Sequence, residues 1–529
     1  MSAPVASSQT IALQGAVGHL VDVQVDVSPG AVGATIVGRA DVTLNESRDR
    51  CRMAITNSGL DWPATRRVTI LLSPADLAKR GTHYDLAIAT TVLAASGQVP
   101  VPALRETVLV GELTLDGRLR SVPGVLPMVM AASARGVRRV FVPEPQAQEA
   151  AMVPGMAVFG VRSLRQVVAE LRGEEVPEAP PVAGMSGTRL LSWRGETRQD
   201  ELDLADLHGL DDARYALEVA AAGGHHLMLS GPKGSGKTSL AERLPGILPD
   251  LTPAEGLELT AIHSLAGALE PEDGLLRRPP YFAPHHGASA ASLLGGGSGR
   301  VRPGGISRAH CGVLFLDELP LFNTDVIDAL RQPLEDGEVT IARGEETATF
   351  PARGMLVVAS NPCPCGNYGT GLDHRCTCEE PQRRAYQRKM RGPVSDRIDI
   401  TRHVEPVQPH VGADPLARTE TSAEVRARVE RARRRQSERY ADRSWRLNAH
   451  APGPVLARDF PLGADARELV DRDIHRGALT RRGATRVHRL AWTVADLAGL
   501  ERPGPLETQV ALALRHGDPV PLAALERAG

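Results

Sequence analysis

Lysine is nearly missing from this chain. Of 61 basic residues in 529, only Lys79, Lys233, Lys237 and Lys389 are lysines. Cysteine is also sparse. There are six, four of them packed between positions 363 and 378, which is unlike the even framework of a secreted disulfide protein and predicts a reducing, cytoplasmic setting. No apolar run reaches about 18 residues, so no transmembrane helix is expected. The N-terminus has no basic region followed by an apolar core, so no signal peptide is predicted. The formal charge of −2 excludes a uniformly basic protein, and any nucleic-acid surface must be a local patch. What is present, 42% hydrophobic and 23% charged residues, is ordinary for soluble globular proteins. The length allows roughly three domains with full cores.

One of the four lysines stands where it carries chemistry. Gly231-Pro232-Lys233-Gly234-Ser235-Gly236-Lys237-Thr238 follows a short apolar run, 226–230, and precedes a breaker-free stretch, 239–244. Strand, glycine-rich loop and helix are the context that makes G-x-x-x-x-G-K-[ST] a phosphate-binding loop. Its backbone N–H groups converge on phosphate oxygens, aided by the helix N-terminus. Lys237 would reach the β- and γ-phosphates of ATP, and the Thr238 hydroxyl would ligate Mg²⁺.

Two further apolar runs end in polar residues. Gly312-Val313-Leu314-Phe315-Leu316 ends in Asp317 and Glu318, about 80 residues after the loop. It reads as a buried parallel strand whose C-terminal end faces the site. Asp317 would hold the Mg²⁺ shell, and Glu318 would orient and deprotonate the attacking water. Met355-Leu356-Val357-Val358-Ala359-Ser360 ends in Asn361. In the AAA+ class of ATPases this is the sensor-1 position, which helps place the water. The alternative is an asparagine capping a loop.

Before this core, residues 1–172 alternate strand-like and helical stretches and read as an α+β domain. Strands are predicted at 21–27, 33–38, 67–72 and 137–143, helices at 84–96 and 128–135, and a hairpin over 109–119 turning at Asp116-Gly117. Gly111-Glu112-Leu113 and Val122-Pro123-Gly124 give it a resemblance to the proteolytic domain of Lon proteases. That family uses a serine–lysine dyad; Asp85 falls near the serine position and Leu126 near the lysine, so peptidase activity is not expected. Residues 173–200 are proline-rich and read as a linker. From about 415 to the end the pattern is helical, at 422–440, 465–476, 482–497 and 505–515.

Pro284-His285-His286-Gly287-Ala288-Ser289 and Leu293-Leu294-Gly295-Gly296-Gly297-Ser298-Gly299-Arg300 lie between the first two strands of the core. With Pro303-Gly304-Gly305-Ile306-Ser307, Asn361-Pro362-Cys363-Pro364-Cys365-Gly366 and Ser395-Asp396-Arg397-Ile398-Asp399, they resemble the Mg-chelatase-like AAA+ ATPases of the ComM/YifB group. The resemblance covers almost the whole chain. It implies a multidomain α/β fold: a Lon-like domain (1–172), a linker (173–200), an AAA+ core (201–410) and a helical lid (411–529). It also implies a homo-hexameric ring with ATP sites between subunits, and a DNA helicase role in branch migration during natural transformation.

By the same resemblance Arg397 matches the arginine finger, which would reach the ATP of a neighbouring subunit; the competing reading is a surface arginine. The preceding Gly392-Pro393-Val394-Ser395 departs from the family's usual Gly-Pro-Leu-Leu. Arg482 matches sensor 2 of the lid, with Arg481 and Arg486 close enough to be confused with it. Cys363, Cys365, Cys376 and Cys378 could close a structural Zn²⁺ site, with His374 as a substitute ligand; reduced cysteines in a tight turn are the alternative.

Three places could touch DNA phosphates: the loop from Gly295 to Arg302 with Arg300 and Arg302, a hairpin over 338–353 with Arg343-Gly344 at its tip, and a basic run of Arg383, Arg384, Arg388, Lys389 and Arg391. The arginine-rich helix from Val425 to Arg443 reads as a solvated face laced by i,i+4 pairs. Two rivals to a DNA motor remain: a chelatase-type motor remodelling a partner protein, and an ATP-dependent protease, which the missing dyad opposes.

Overall fold

The computed structural model describes residues 5–38, 41–182, 202–270, 273–297, 301–343, 346–369, 373–390, 394–407 and 419–528. Its front part is built on β1 (Ala6–Gln14), β2 (Val17–Ser28), β3 (Gly33–Val37), β4 (Arg67–Ser73), β5 (Thr107–Leu109), the short hairpin β6 (Glu112–Leu113) and β7 (Leu119–Arg120), β8 (Arg139–Pro143) and β9 (Ala157–Val161). In β2 the apolar residues Val21, Val23 and Val25 are fully buried and alternate with polar neighbours, as period-two patterning requires. A seven-stranded sheet results, in the order β3-β4-β2-β1-β5-β8-β9. β1–β2 and β2–β4 are antiparallel, whereas β3–β4, β1–β5, β5–β8 and β8–β9 are parallel. The front part is therefore a mixed sheet with interleaved helices, not strands and helices kept apart. Parallel neighbours need crossovers, and helices Val125–Ala134 and Ala147–Ala151 supply them between β5, β8 and β9.

The predicted linker divides. Residues 173–182 carry no helix or strand but are tied to the front part, where Arg162 donates to the Ala179 carbonyl at 3.0 Å and Gln166 to that of Pro177 at 2.8 Å. Residues 183–200 lie outside the described residues.

The middle part holds β10 (Leu227–Ser230), β11 (Tyr281–Phe282), β12 (Gly295–Gly296), β13 (Arg302–Pro303), β14 (Val313–Leu316), β15 (Glu338–Arg343), β16 (Glu346–Pro351), β17 (Met355–Ser360) and β18 (Ile400–His403). Five of them form an all-parallel sheet in the order β11-β14-β17-β10-β18. Every residue of β14 and β17 is buried. Val313, Phe315, Val357 and Ala359 face one apolar cluster with helices Asp211–Gly223 and Lys237–Ile247; Leu314, Leu316, Leu356 and Val358 face another with Phe322 and Val326. A sheet covered on both faces is why these strands read as unbroken apolar runs.

Four longer helices close the chain at Ser422–Arg439, Ala464–His475, Arg481–Leu497 and Pro505–His516. The first ends at Arg439; Arg431 and Arg434 are exposed as its composition predicts, but three other arginines turn inward. Arg428 grips buried Glu218 at 2.7 and 2.9 Å, Arg433 donates to the Ala221 carbonyl, and Arg439 pairs with Asp496, whose side chain is fully buried. Arg426–Glu430 is an i,i+4 pair of the kind expected from spacing.

Front and middle parts touch through polar and apolar contacts. Buried Glu149 accepts from the Ser264 hydroxyl and from the Leu126 N–H, and Gly124 N–H donates to the Ser264 carbonyl at 3.1 Å. The β1–β2 turn rests on β16: a Cβ at Gly15 would lie 3.0 Å from that of Ala348.

Candidate active site

Three neighbouring parallel strands end at one crevice. β10 runs into Gly231, β14 into Asp317 and Glu318, and β17 into Asn361. In parallel sheets the carboxyl ends of the strands are where ligands sit. A Cβ at Gly231 would fall 2.1 Å from the Val404 carbonyl oxygen, so only glycine permits this approach. Gly236, at φ +92°, turns the loop into helix Lys237–Ile247.

The side chains converge. Lys237 Nζ donates to the carbonyls of Gly231 at 2.8 Å and Pro232 at 2.7 Å, and to Asn361 Oδ1 at 3.2 Å. Asn361 in turn donates from Nδ2 to Glu318 Oε1 at 3.1 Å. Thr238 Oγ1 donates to Asp317 Oδ2 at 3.2 Å. Burial pulls the Lys237 ammonium below its ordinary pKa, against the opposing pull of Asp317 and Glu318. Glu318 adopts φ +52°, a left-handed conformation that a glutamate takes only when its surroundings impose it. A lysine folded onto loop carbonyls, a hydroxyl beside one carboxylate and an amide holding a second can receive a phosphate chain, a divalent cation and a water. Of the other loop residues, Lys233 and Gly234 are exposed, whereas Pro232 and Ser235 are buried.

Arg397 ends a single 3₁₀ turn and pairs with Glu335. Arg481 and Arg482 are both exposed at the start of helix Arg481–Leu497, whereas Arg486 is engaged with buried Asp399.

The four cysteines come together immediately after Asn361, their sulfurs all within 4.8 Å of one another. Sγ–Sγ distances are 3.3 Å for Cys363–Cys365, 3.6 Å for Cys365–Cys376 and 3.9 Å for Cys363–Cys376. Four thiolates around a tetrahedral Zn²⁺ at about 2.3 Å would stand about 3.8 Å apart. Cys365 N–H donates to Cys378 Sγ at 3.3 Å and Tyr368 N–H to Cys363 Sγ at 3.4 Å. The Asn367 backbone N–H lowers the Cys365 thiol to about 6, while desolvation and the neighbouring sulfurs push Cys378 up to about 12. His374 is exposed and outside the cluster.

Most of the basic run lies on helix Glu380–Met390, and part of it is tied to neighbouring backbone. Arg383 donates to the Cys378 carbonyl at 3.0 Å and stacks on Tyr368, and Lys389 donates to the carbonyls of Pro320 at 3.0 Å and Phe322 at 3.3 Å. Arg384 and Arg388 remain exposed, and Arg391 is outside the described residues. Sequence pattern gave no hint of Tyr386 on the same helix. Its phenol is buried, which pushes it up to about 12, with the Asn361 backbone at its hydroxyl and the Glu318 carboxylate nearby. In the glycine-rich loop Gly295 and Gly296 pair with Pro303 and exposed Arg302, while Arg300 lies outside the described residues. The expected hairpin forms as β15–β16, Arg343 pairing with Glu346, with Gly344 also outside the described residues.

Three family models match the chain: "Magnesium chelatase, subunit ChlI" over residues 203–411, "Subunit ChlI of Mg-chelatase" over 23–146, and "Magnesium chelatase, subunit ChlI C-terminal" over 419–515. Relatives align end to end. The uncharacterized protein YifB of Escherichia coli is 40% identical over 479 residues, covering 90% of both chains. Competence protein ComM of Haemophilus influenzae is 38% identical over 490 residues, 92% of this chain and 93% of the relative. This chain belongs to the Mg-chelatase-like ComM/YifB family. An uncharacterized Mycobacterium tuberculosis protein is 45% identical over 507 residues, 96% of this chain and 98% of the relative. Among the described residues no helix is long and apolar enough to cross a membrane.

Proposed function

We propose that this ComM/YifB family member is an ATP-hydrolysing AAA+ motor that translocates on single-stranded or branched DNA as a homo-hexamer, in branch migration and natural transformation. The observation that carries the ATPase reading is the chain Lys237–Asn361–Glu318 beside Thr238–Asp317 at the ends of three parallel strands. Gly231–Thr238 would cradle the triphosphate, and Thr238 with Asp317 would hold Mg²⁺. Glu318 would take the proton of the attacking water, which Asn361 helps to place. Mg²⁺, when bound, neutralises charge on the phosphates. Arg397 would reach the γ-phosphoryl of a neighbour's ATP, and Arg482 would close the lid over it.

The domain plan of the same reading is 1–172 a Lon-like domain, 173–200 a linker whose first residues, to 182, lie on the front part, 201–410 the AAA+ core and 411–529 the lid. Asp85 is fully buried and gripped by Arg50, and Leu126 is fully buried, which supports a front domain without peptidase chemistry. The four cysteines would hold Zn²⁺. DNA as substrate is supported by the competence protein among the relatives, and by Arg302, Arg384 and Arg388 standing exposed. A motor that remodels a protein partner is the second reading, favoured by the chelatase-subunit models.

ATP turnover with and without single-stranded and branched DNA decides between them, with Lys237→Ala as control. DNA-stimulated turnover lost in the variant is the expected result. Turnover indifferent to DNA would overturn the translocase reading in favour of a protein partner.

A further inference from the structure

The segment joining Asn361 to helix Glu380–Met390 contains, among its described residues, one 3₁₀ turn and no other regular element. Few of its described residues are buried, Cys363 and Gly366 among them, and the four gathered sulfurs are a further means of ordering it. The knuckle they make is placed against the candidate ATP site from three directions. Asn361 lies two residues before Cys363, which is fully buried. The knuckle's turn packs on the phosphate loop: a Cβ at Gly366 would lie 3.2 Å from Lys233 Cγ and 3.6 Å from its backbone nitrogen. Beyond Cys378, Arg383 fastens the following helix to the knuckle through the Cys378 carbonyl. That helix sets Tyr386 against the Asn361 backbone and hooks Lys389 onto the carbonyls of Pro320 and Phe322, just past Asp317 and Glu318.

We propose that a thiolate-bound divalent cation, of the Zn²⁺ class, is part of the ATP site's own scaffold. Held by Cys363, Cys365, Cys376 and Cys378, it fixes Asn361 from one side and the Glu318 segment from the other. Tyr386 and Lys389 are the positioning residues that carry this order. Metal occupancy therefore controls hydrolysis more than nucleotide affinity, because the triphosphate cradle is made by β10 and the helix behind it. At Gly366 the knuckle meets the phosphate loop through Lys233, not through Lys237 or Thr238. The part concerning turnover rests on the ATPase reading; the part concerning order does not.

The test starts from full-length reduced protein loaded with Zn²⁺ and the same protein after chelation. The expected stoichiometry is one Zn²⁺ per chain, lost in Cys376→Ser. Hydrogen exchange should quicken on metal loss, about tenfold or more, in segments 318–322, 359–362 and 380–390, and stay unchanged in the front sheet. Turnover should fall about tenfold to a hundredfold, with the affinity for a non-hydrolysable ATP analogue within about threefold of the loaded protein. Zn²⁺ should restore the chelated wild type but not Cys376→Ser. Tyr386→Phe and Lys389→Met should lower kcat with metal still bound, and Lys389→Arg should retain it. Failure to bind Zn²⁺, or unchanged exchange in 318–322 and 359–362 after its removal, would overturn the proposal. A Zn²⁺-loaded wild type that never hydrolyses ATP would sink the ATPase reading instead, leaving the exchange result to decide the scaffold.

Discussion

Asn361 stands between Lys237 and Glu318, donating to Glu318 Oε1 at 3.1 Å and accepting from Lys237 Nζ at 3.2 Å. A phosphate group entering the loop must draw Lys237 off the carbonyls of Gly231 and Pro232. The asparagine then loses one partner while keeping the other. In this way arrival of the phosphate would be communicated to Glu318, the carboxylate proposed to activate water.

Arg397 is held by Glu335 within its own chain, so a role on a neighbour's nucleotide requires that pair to open. Arg397→Ala is expected to bind nucleotide normally and lose about a thousandfold in turnover. Mixed into wild-type protein, it should depress turnover beyond simple dilution, because the residue acts across an interface. Glu335→Ala should retain turnover. Full activity in Arg397→Ala would leave it a surface arginine.

On helix Glu380–Met390 the exposed Arg384 and Arg388 should behave differently from half-buried Arg383 and from Lys389, which is tied to the Pro320 and Phe322 carbonyls. Arg384→Ala and Arg388→Ala are each expected to weaken DNA binding uniformly across sequences and to reduce the salt dependence by about one ion. Titrations at several salt concentrations measure both. An unchanged salt slope in the double variant would remove this helix from the DNA surface.

Asp496 anchors the C-terminal helices. It accepts from Arg439 and from Asn448 at 3.0 Å, with Arg439 lying 4.3 Å over the Trp492 ring. Asp496→Ala would strand a largely buried guanidinium and should cost about 3–5 kcal/mol. Replacing both partners by leucine should cost less. Urea unfolding followed by tryptophan fluorescence reads the difference.

Acid should destabilise the fold in a defined window. His226 Nδ1 accepts the Leu356 N–H at 3.0 Å, and desolvation lowers His226 and His450 from 6.5 to about 4. The unfolded chain therefore takes up protons below pH 6.5 that the folded chain takes up only near pH 4, so stability falls across that interval. Asp399 is desolvated, which alone would raise it, but His225 and Arg486 hold it below the usual carboxylate range. Its contribution is lost at still lower pH. His226→Asn keeps an acceptor for Leu356 and should flatten the loss. Urea midpoints that do not move between pH 7 and pH 4.5 would contradict this.

The sequence made the parallel core legible for a physical reason. Strands buried on both faces are continuous apolar runs, and β10, β14 and β17 each break into a polar group where they meet the site. The hairpin β15–β16 was legible through its pattern and turn. Helix Pro253–Ala266 was not read, although Thr252 and Glu255 make a capping box and Pro253 sits at its first turn, because Gly256 interrupts the pattern. Strands β11 and β18 are two and four residues long, too short to show periodicity. The inward turn of Arg428 and Arg439 was not legible because their partners Glu218 and Asp496 lie far along the chain, where local spacing carries no information. Tyr386 and Lys389 were hidden likewise, since what they touch is decided by where the cysteine knuckle turns the chain.

The central claim is that Glu318 activates water against a nucleotide held by Lys237. The measurement that tests it most directly is single-turnover phosphate release from Mg²⁺-ATP by wild type and Glu318→Gln, with nucleotide binding measured in parallel. The expected result is normal binding in the variant and release slowed about a hundredfold to ten-thousandfold. Release at the wild-type rate would contradict the assignment of Glu318 and, with it, the mechanism built on this site.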